Sequence, residues 1–191
     1  FKNFSDFYTN VDSTIDWYKK YNHLIWYMKK NNSSKDKVSI VIVTFKSEHI
    51  IEKCLDNIGP DYDVILVENS NDIVFTSNLQ KKYANLNCIN IGYDSGFAYA
   101  LNRGIEKSQS EYIISLNPDS FPEKDCFEKL IKTADTYNDV AVVTPVTYLK
   151  NNTKEFNAYG YFNKRKLPIR NSQNKLQVDW VNGNVSLIKK D

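Results

Sequence analysis

A short polar cluster, Asn117, Pro118 and Asp119, directly follows an apolar run and is the part of this sequence best suited to chemistry. Residues 112–116 have the apolar character of a strand covered on both faces. Pro118 cannot donate a ladder hydrogen bond, so strand pairing should end there. The Asp119 carboxylate would then lie at the carboxyl end of a strand, where open α/β sheets bind their ligands. Because Mg²⁺ is often held by one or two carboxylates and substrate phosphates, Asp119 is a candidate metal ligand.

A second interpretation of Asp119 is purely structural. Aspartate is a favoured helix N-cap, and a helix is predicted to begin near Pro122. The residue type alone does not decide between a ligand and a cap. Both interpretations stay open.

Two other predicted strands also end in small polar groups. Thr44 closes one strand, and Glu68, Asn69 and Ser70 follow another. The carboxyl ends of parallel strands meet at one edge of a sheet, so we expect these clusters and Asp119 to line one crevice. Carboxylate and amide acceptors suit a nucleobase edge or ribose hydroxyls, whereas a metal suits a diphosphate. Taken alone, Glu68 to Ser70 would be an ordinary turn.

The elements that must position these residues alternate along the chain. Strands are predicted at 38–45, 64–67, 88–91, 112–116 and 140–146, and helices at 48–58, 74–84, 97–108 and 122–137. This alternation predicts an α/β fold with a doubly wound, mostly parallel sheet. Beyond residue 150, short β segments at 156–162 and 177–181 flank a basic, weakly patterned loop.

Length and composition limit the number of domains and the kinds of partner that this chain can have. The 191 residues, 41% hydrophobic, can bury one sizeable core, predicted at 38–191. A net charge of +2 gives no strong field for nucleic acid, so no such partner is predicted. The three cysteines form no paired motif, which favours a reduced, cytoplasmic setting. No stretch approaches the ~20 apolar residues of a transmembrane span.

Residues 1–37 are predicted to form a helical arm and a linker. Apolar residues recur there at roughly helical spacing (Val11, Ile15, Tyr18, Leu24, Ile25 and Met28). The lysines of this segment suit contact with anionic lipid or a docking surface. Packing on the chain's own domain is favoured over both, because the polar face is not uniformly basic.

Several classes of site are disfavoured. Neither G-x-G-x-x-G nor G-x-x-x-x-G-K-[ST] follows the first strand, which argues against dinucleotide and P-loop sites. His23 and His49 lack partners at zinc-ligand spacing. The basic stretch at 164–170 could cover a diphosphate, but a solvated loop is the simpler interpretation.

Five segments occur in a characteristic order: VSIVIVTF (38–45), VENS (67–70), NIGYDSGFAYALNRGI (90–105), YIISLNPD (112–119) and DWVNGN (179–184). Together they resemble the family two inverting glycosyltransferases, particularly the rhamnosyltransferase-like branch, over residues 38–188. The resemblance implies a GT-A-type fold that binds a nucleotide diphosphate sugar. It implies inverting transfer, with dTDP-rhamnose as one candidate donor, to a glycan or lipid-linked acceptor in polysaccharide biosynthesis.

The resemblance also implies a set of donor-binding residues: Thr44, Phe45, Glu68, Asn69, Gly96, Asn102, Arg103, Asn117 and Asp119. Glu68 stands where an Asp commonly contacts the base, and Asn102 and Arg103 would lie near the ribose or diphosphate. Gly96 would allow close backbone approach. Asp119 matches the last acid of the family's D-x-D element, whose first acid is here Asn117. A single carboxylate remains for Mg²⁺ or Mn²⁺.

On the acceptor side the resemblance implies Trp180, Gly183 and Asn184, although a buried strand and turn would also explain Trp180. The family's catalytic base usually lies shortly after the position of Lys190. Because the sequence ends at Asp191, we expect the domain to be incomplete and the base to be missing. No catalytic residue is therefore assigned.

Two classes of function remain. One is an inverting glycosyltransferase, cytoplasmic and with peripheral contact at the inner face of the membrane left open. The other is a non-catalytic nucleotide-sugar-binding module or scaffold that lacks the base. A nucleotidyltransferase is disfavoured because its usual glycine-rich, Arg- and Lys-bearing loop does not follow the first strand.

Overall fold

A computed structural model describes residues 37–137, 140–148, 155–156, 159–160, 178–181 and 183–190 of the chain. The predicted N-terminal arm, up to residue 36, and the basic stretch at 164–170 lie outside these residues. The division of the chain into an arm and a domain therefore stays a prediction.

Strands and helices alternate from the first described residues. Four strands come first, β1 (Val38–Thr44), β2 (Asp63–Glu68), β3 (Leu86–Asn90) and β4 (Tyr112–Leu116). The helices are α1 (Ile51–Ile58), α2 (Ile73–Lys82), α3 (Phe97–Lys107) and, after β4, α4 (Cys126–Thr136). The later strands are β5 (Val142–Val143), β6 (Thr147–Tyr148), β7 (Glu155–Phe156), β8 (Tyr159–Gly160), β9 (Trp180–Val181) and β10 (Val185–Lys189).

Six of these strands form one mixed sheet in the order β3-β2-β1-β4-β10-β5. β1 pairs in parallel with β2 and β4, and β2 pairs in parallel with β3. β10 runs antiparallel to both β4 and β5. Each parallel connection passes through a helix, so the carboxyl ends of β1 to β4 lie at one edge of the sheet. The predicted α/β fold with a mostly parallel sheet is confirmed.

Both faces of the sheet are covered, which explains the nearly continuous apolar run of β1. On one face, Ile40 and Ile42 pack with apolar residues of α1, α2 and α4. On the other, Val41 packs with Ala100 and Ile105 of α3. A strand buried on both faces needs an apolar residue at almost every position.

The close approach of α3 to the sheet depends on Gly104. A Cβ at this position would overlap the Val41 side chain and come within 3.1 Å of Val67 Cγ2. The helix can pack directly on β1 and β2 because no side chain separates them there. This contact fixes the orientation of α3, whose first turn at Phe97 lies at the carboxyl edge of the sheet.

Most predicted strands and helices are found with bounds shifted by up to three residues, and three elements differ more strongly from their predictions. The strand predicted at 140–146 is only Val142–Val143, because its pairing is limited to the end of β10. The helix predicted from Pro122 begins at Cys126. Strand β10 was not predicted, although Val185 and Leu187 are buried and alternate with Ser186, the period-two signal of a strand.

Candidate functional site

At the carboxyl edge of the sheet, β1 and β2 are joined by two buried side chains. Thr44 and Glu68 are the last residues of these strands and lie opposite each other in register. Thr44 Oγ1 donates a hydrogen bond to Glu68 Oε2 at 2.7 Å. The backbone N–H of Ser70 donates to Glu68 Oε1 at 2.8 Å. Both carboxylate oxygens therefore have partners within the protein.

Burial changes the interpretation of Thr44 and Glu68. The resemblance placed them beside the nucleoside, and Glu68 was expected in a loop. Glu68 instead ends β2, and the exposed fractions of Thr44 and Glu68 are 0% and 1%. Buried polar groups that are hydrogen-bonded in this way stabilise the structure beneath a site. The structure thus places this pair beneath the surface at the carboxyl edge of the sheet.

A second hydrogen-bond network joins the end of β2 to the start of α3. Asn69 Oδ1 accepts from Ser95 Oγ at 2.7 Å and from the Ser95 backbone N–H at 3.1 Å. Asp94 Oδ1 accepts from Asn69 Nδ2 at 3.3 Å and from the Gly96 backbone N–H at 3.1 Å. Gly96 has φ 78°, a conformation that glycine adopts without strain. The network brings the predicted residues Asn69 and Gly96 together, through two residues that the sequence did not single out.

Asp119 lies in a turn directly after β4. The turn runs from Asn117 to Ser120 and is closed by a hydrogen bond from Ser120 N–H to Asn117 O at 3.1 Å. Asp119 is exposed, and within the described part of the chain its carboxylate has no hydrogen bond or ion pair. The interpretation as a helix cap is wrong, because α4 begins at Cys126 and its N-cap residue is Asp125.

This turn is held by residues from two other elements. The Asn117 backbone N–H donates to Asn184 O at 2.9 Å, and Asn117 Nδ2 donates to Asn184 Oδ1 at 3.2 Å. The buried Cys54 thiol of α1 lies 4.0 Å from Asn117 O and 3.7 Å from Ser120 O. Burial, and to a smaller extent the charge of Asp119, raises the pKa of Cys54 to about 12. The thiol therefore stays protonated and can donate to these carbonyl oxygens.

Asp119 and Glu68 lie at the same edge of the sheet. Strand β1 separates β2 from β4, and neighbouring strands are about 4.8 Å apart. The ends of β2 and β4 are therefore roughly 10 Å apart across the edge. Thr44, Glu68 and Asp119, which were expected to come together, all lie along this edge. The network around Asp94 places Gly96, one of the residues implied by the resemblance, at the same edge.

Exposed aromatic side chains lie in the loops after β1 and β4. Phe45 is 46% exposed, and Lys46 Nζ lies 5.3 Å from its ring centroid. Phe121 is 41% exposed, and Lys53 Nζ lies 4.7 Å from its ring centroid. Both distances suit cation–π contacts. Phe45 was a predicted donor-site residue, whereas the two lysines and Phe121 were not recognised, because they belong to none of the polar clusters.

The structure does not bring Arg103 to this edge. Its Nη1 pairs with Glu106 Oε2 at 2.6 Å, and about half of its side chain is exposed. It lines a separate surface cavity of about 410 Å³ together with Cys88, Ile89, Glu106 and Lys107. Lys107 ends α3 at the opposite edge of the sheet. Asn102, the other predicted residue of this helix, is half-buried.

The segment predicted on the acceptor side is described in part. The backbone of Trp180 lies in β9, which pairs with β8. Its side chain lies outside the described part. Gly183 is exposed and Asn184 is half-buried. Because Asn184 bonds to Asn117, the segment predicted for the acceptor touches the turn predicted for the donor.

The residues of this edge fit a divalent cation bound through one carboxylate. Among the residues that the structure describes, no group of three or more His, Cys, Asp or Glu side chains could hold a metal ion. A cation at Asp119 would need further oxygen ligands, which substrate phosphates and water typically provide for Mg²⁺. The exposed Asp119 carboxylate is suited to this arrangement.

The profile of one protein family, described as glycosyl transferase family 2, matches residues 39–187. The chain belongs to glycosyl transferase family 2. The matched residues include β1 from Ser39, the whole of β2, β3 and β4, and the carboxyl edge described above. No curated protein sequence matches the chain.

The fold of this family 2 chain is similar to that of a solved glycosyltransferase. The mannosyltransferase PcManGT from Pyrobaculum calidifontis, solved with GDP-Man and Mn²⁺, has a TM-score of 0.59 and 15% identity over 95% of this chain and 53% of that chain. S. aureus TarS 1-349 in complex with UDP-GlcNAc gives a TM-score of 0.48 and 17% identity over 70% of this chain and 37% of that chain. The chain thus spans about half the length of the Pyrobaculum protein. The expected GT-A-like α/β fold is confirmed.

Each helix of the described residues is too short or too polar to cross a lipid bilayer.

Proposed function

We propose that this chain binds a nucleotide diphosphate sugar at the carboxyl edge of its sheet and transfers the sugar to a glycan or lipid-linked acceptor with inversion. One observation carries the proposal. Asp119 presents an exposed carboxylate, without a partner among the described residues, on a closed turn after a central strand. In open α/β sheets, ligands bind at this position.

The diphosphate of the donor would lie at the turn after β4. Asp119 would hold Mg²⁺ or Mn²⁺, which neutralises charge on the departing diphosphate when it is bound. Asn117 does not supply a second carboxylate, and its amide is engaged with Asn184. The phosphates would therefore complete the cation's ligands. The fold similarity to PcManGT, solved with GDP-Man and Mn²⁺, supports this placement.

The nucleoside would lie along the ends of β1 and β2. Phe45 is exposed there and offers a ring on which a base can stack. Gly96, without a side chain, would let the donor approach the α3 N-terminus closely. Thr44 and Glu68 would support this surface from below, since both are buried and bonded to each other. Asn69 would act similarly by holding the loop that carries Ser95.

In the proposed reaction, an acceptor hydroxyl oxygen bonds to the anomeric carbon of the sugar. The bond from that carbon to the diphosphate oxygen breaks on the opposite face, and its electron pair stays on the diphosphate. The hydroxyl proton passes to a carboxylate that acts as general base. Trp180, Gly183 and Asn184 are proposed to line the acceptor side. The base is left unassigned.

We further propose that the protein acts in polysaccharide biosynthesis at the cytoplasmic face of a membrane, with dTDP-rhamnose as a candidate donor. The resemblance of the segments at 90–119 and 179–184 to the rhamnosyltransferase-like branch supports this choice. These finer assignments, including dTDP-rhamnose as the donor, are supported by the sequence pattern alone.

A thermal-shift screen tests the proposal. The protein would be heated with UDP, GDP, dTDP and their sugars, each with Mn²⁺ and with EDTA. We expect one nucleotide to raise the unfolding temperature in a metal-dependent way, since a ligand at a hundredfold excess over its Kd stabilises by about 2.7 kcal/mol. Absence of any shift would contradict the proposal. Binding without sugar transfer in a product assay would favour the non-catalytic binding module.

A further inference from the structure

We propose that Asn184 is a positioning residue for the donor side of the site, and that it acts through Asn117 on the turn that carries Asp119. This inference rests on the proposed function. It gives Asn184 a role that differs from the acceptor contact implied by the resemblance. It also gives a role to Asn117, which replaces the first acid of the D-x-D element.

The Asn117–Asn184 contact extends the β4–β10 ladder by one residue. Val185 is opposite Leu116 in the antiparallel register, so Asn184 is opposite Asn117. The Asn117 backbone N–H accordingly donates to Asn184 O at 2.9 Å. The side-chain amides add a second bond, from Asn117 Nδ2 to Asn184 Oδ1 at 3.2 Å. Backbone and side chain together therefore fix Asn117 against the start of β10.

The position of Asn117 in turn determines the geometry of the Asp119 turn. The carbonyl oxygen of Asn117 accepts the hydrogen bond from Ser120 N–H that closes the turn. Asp119 is an inner residue of that turn and is exposed. Because no described residue bonds its carboxylate, the direction of the carboxylate depends on the turn itself.

The side-chain bond is the part of this contact that substitution can remove without breaking the ladder. An alanine at 184 keeps the backbone carbonyl that accepts from Asn117 N–H but removes the whole side-chain amide, including the Oδ1 that accepts from Asn117 Nδ2. Asn117 would then be held by its backbone alone, and the half-buried turn would gain freedom. A loosely held catalytic or binding group loses effectiveness even when it remains present.

The test is a double-mutant cycle read out as metal-dependent nucleotide affinity. Asn184→Ala would be made in the wild type and in an Asn117→Ala background. For each protein, the Kd of the best-bound nucleotide among UDP, GDP and dTDP would be measured with Mn²⁺ and with EDTA. The Kd with EDTA divided by the Kd with Mn²⁺ measures how much the cation strengthens binding. A purely structural role of Asn184 would leave this ratio unchanged.

We expect Asn184→Ala to lower this ratio roughly three- to tenfold in the wild type, the effect of one lost hydrogen bond. In the Asn117→Ala background it should have no further effect, because residues that act through each other are not additive. Equal losses in both backgrounds, or an unchanged ratio in the wild type, would overturn the positioning role.

Tyr112→Phe provides a matched control. Tyr112 lies at the other end of β4, and its hydroxyl donates to Asp135 Oδ1 at 2.6 Å. The variant removes a hydrogen bond between β4 and α4 without touching the turn, so its ratio of Kd values with EDTA and with Mn²⁺ should equal that of the wild type. Unfolding temperatures of all variants would show that they are folded. A wild type that binds none of the nucleotides would overturn the proposed function and this role together. Metal-dependent binding by the wild type, with the same Kd ratio in Asn184→Ala, would overturn this role alone.

Discussion

Thr44 Oγ1 donates a 2.7 Å hydrogen bond to Glu68 Oε2, and this bond joins the carboxyl ends of two neighbouring parallel strands beneath the candidate site. Both residues are buried, so the Glu68 carboxylate cannot bond to water and must accept its hydrogen bonds from donors within the protein. The edge of the sheet that faces the proposed donor is therefore built on a polar pair inside the apolar core.

Thr44→Val should destabilise the fold. Valine keeps the shape of threonine but removes one of the two donors to the buried Glu68 carboxylate, and hydrogen bonds to charged groups contribute about 1.5–3 kcal/mol. Urea unfolding would measure the free energy of unfolding. Thr133→Val is the control, because among the described residues the Thr133 hydroxyl makes a solvent-exposed hydrogen bond only to the Lys129 carbonyl within α4. An equal loss of unfolding free energy in Thr44→Val and Thr133→Val would contradict the stabilising role of the Thr44–Glu68 hydrogen bond.

Gly104→Ala should also destabilise the fold, for a steric reason. The added methyl group would overlap the Val41 side chain and press on Val67, so α3 would have to move away from the sheet. Overpacking of a tight core typically costs about 1–3 kcal/mol. Because α3 carries Gly96 at its start, nucleotide affinity should fall as well. Ala98→Gly, at an exposed position of α3, makes the opposite exchange, so its change in unfolding free energy measures the helix-propensity effect with reversed sign. A Gly104→Ala protein as stable as the wild type would show that the helix does not pack this closely.

Stability should fall as the pH rises above 9, and Cys54 should contribute to this fall. Burial raises the pKa of Cys54 from 9.0 to about 12. Between these values the unfolded chain loses the thiol proton while the folded chain keeps it. The stabilisation is therefore complete below pH 9 and is lost as the pH rises through about 12, with a slope of at most about 1.4 kcal/mol per pH unit.

Urea unfolding of the wild type and of Cys54→Ala at pH 7, 9 and 10.5 would measure this slope. The variant should be less stable at pH 7 because it leaves a small cavity, but its stability should decline less steeply. Cys88 and Cys126, whose pKa values burial raises to about 11, remain in the variant, so part of the decline should persist. Parallel curves for the two proteins would exclude a contribution from Cys54.

Arg103→Ala should leave nucleotide affinity within about twofold of the wild type. The resemblance places Arg103 near the ribose or diphosphate, but its guanidinium pairs with Glu106 on an exposed part of α3. Exposed pairs of this kind contribute about 0.2–1 kcal/mol to stability. Isothermal titration with the best-bound nucleotide would measure the affinity. A loss of tenfold or more would mean that Arg103 reaches the donor after a rearrangement.

The sequence pattern was sufficient to predict the four parallel strands of the sheet, but it did not predict the antiparallel strand β10. β1 and β4 are buried on both faces, and their apolar runs identify them. β10 is as long as β4 but follows a polar segment, and its last two residues are only half-buried. Its place beside β4 depends on pairing with a distant strand, which the local pattern does not reveal. The same limit applies to the site. The positions of Thr44, Glu68 and Asp119 along the edge followed from parallel topology, whereas their burial and partners depend on tertiary contacts.

Asp119→Asn tests whether the exposed carboxylate binds a cation. The amide keeps the shape and one acceptor oxygen but loses the negative charge, so the metal-dependent part of nucleotide affinity should fall at least about tenfold, or ~1.4 kcal/mol. Stability should hardly change, because Asp119 is exposed and bonds to no described residue. Nucleotide titration with Mn²⁺ and with EDTA on both proteins gives the measurement. Asp125→Asn is the matched control, since it removes an exposed carboxylate from the N-cap of α4 without touching the turn. An unchanged metal response in Asp119→Asn would remove Asp119 from the site and leave the proposed diphosphate position without its cation ligand.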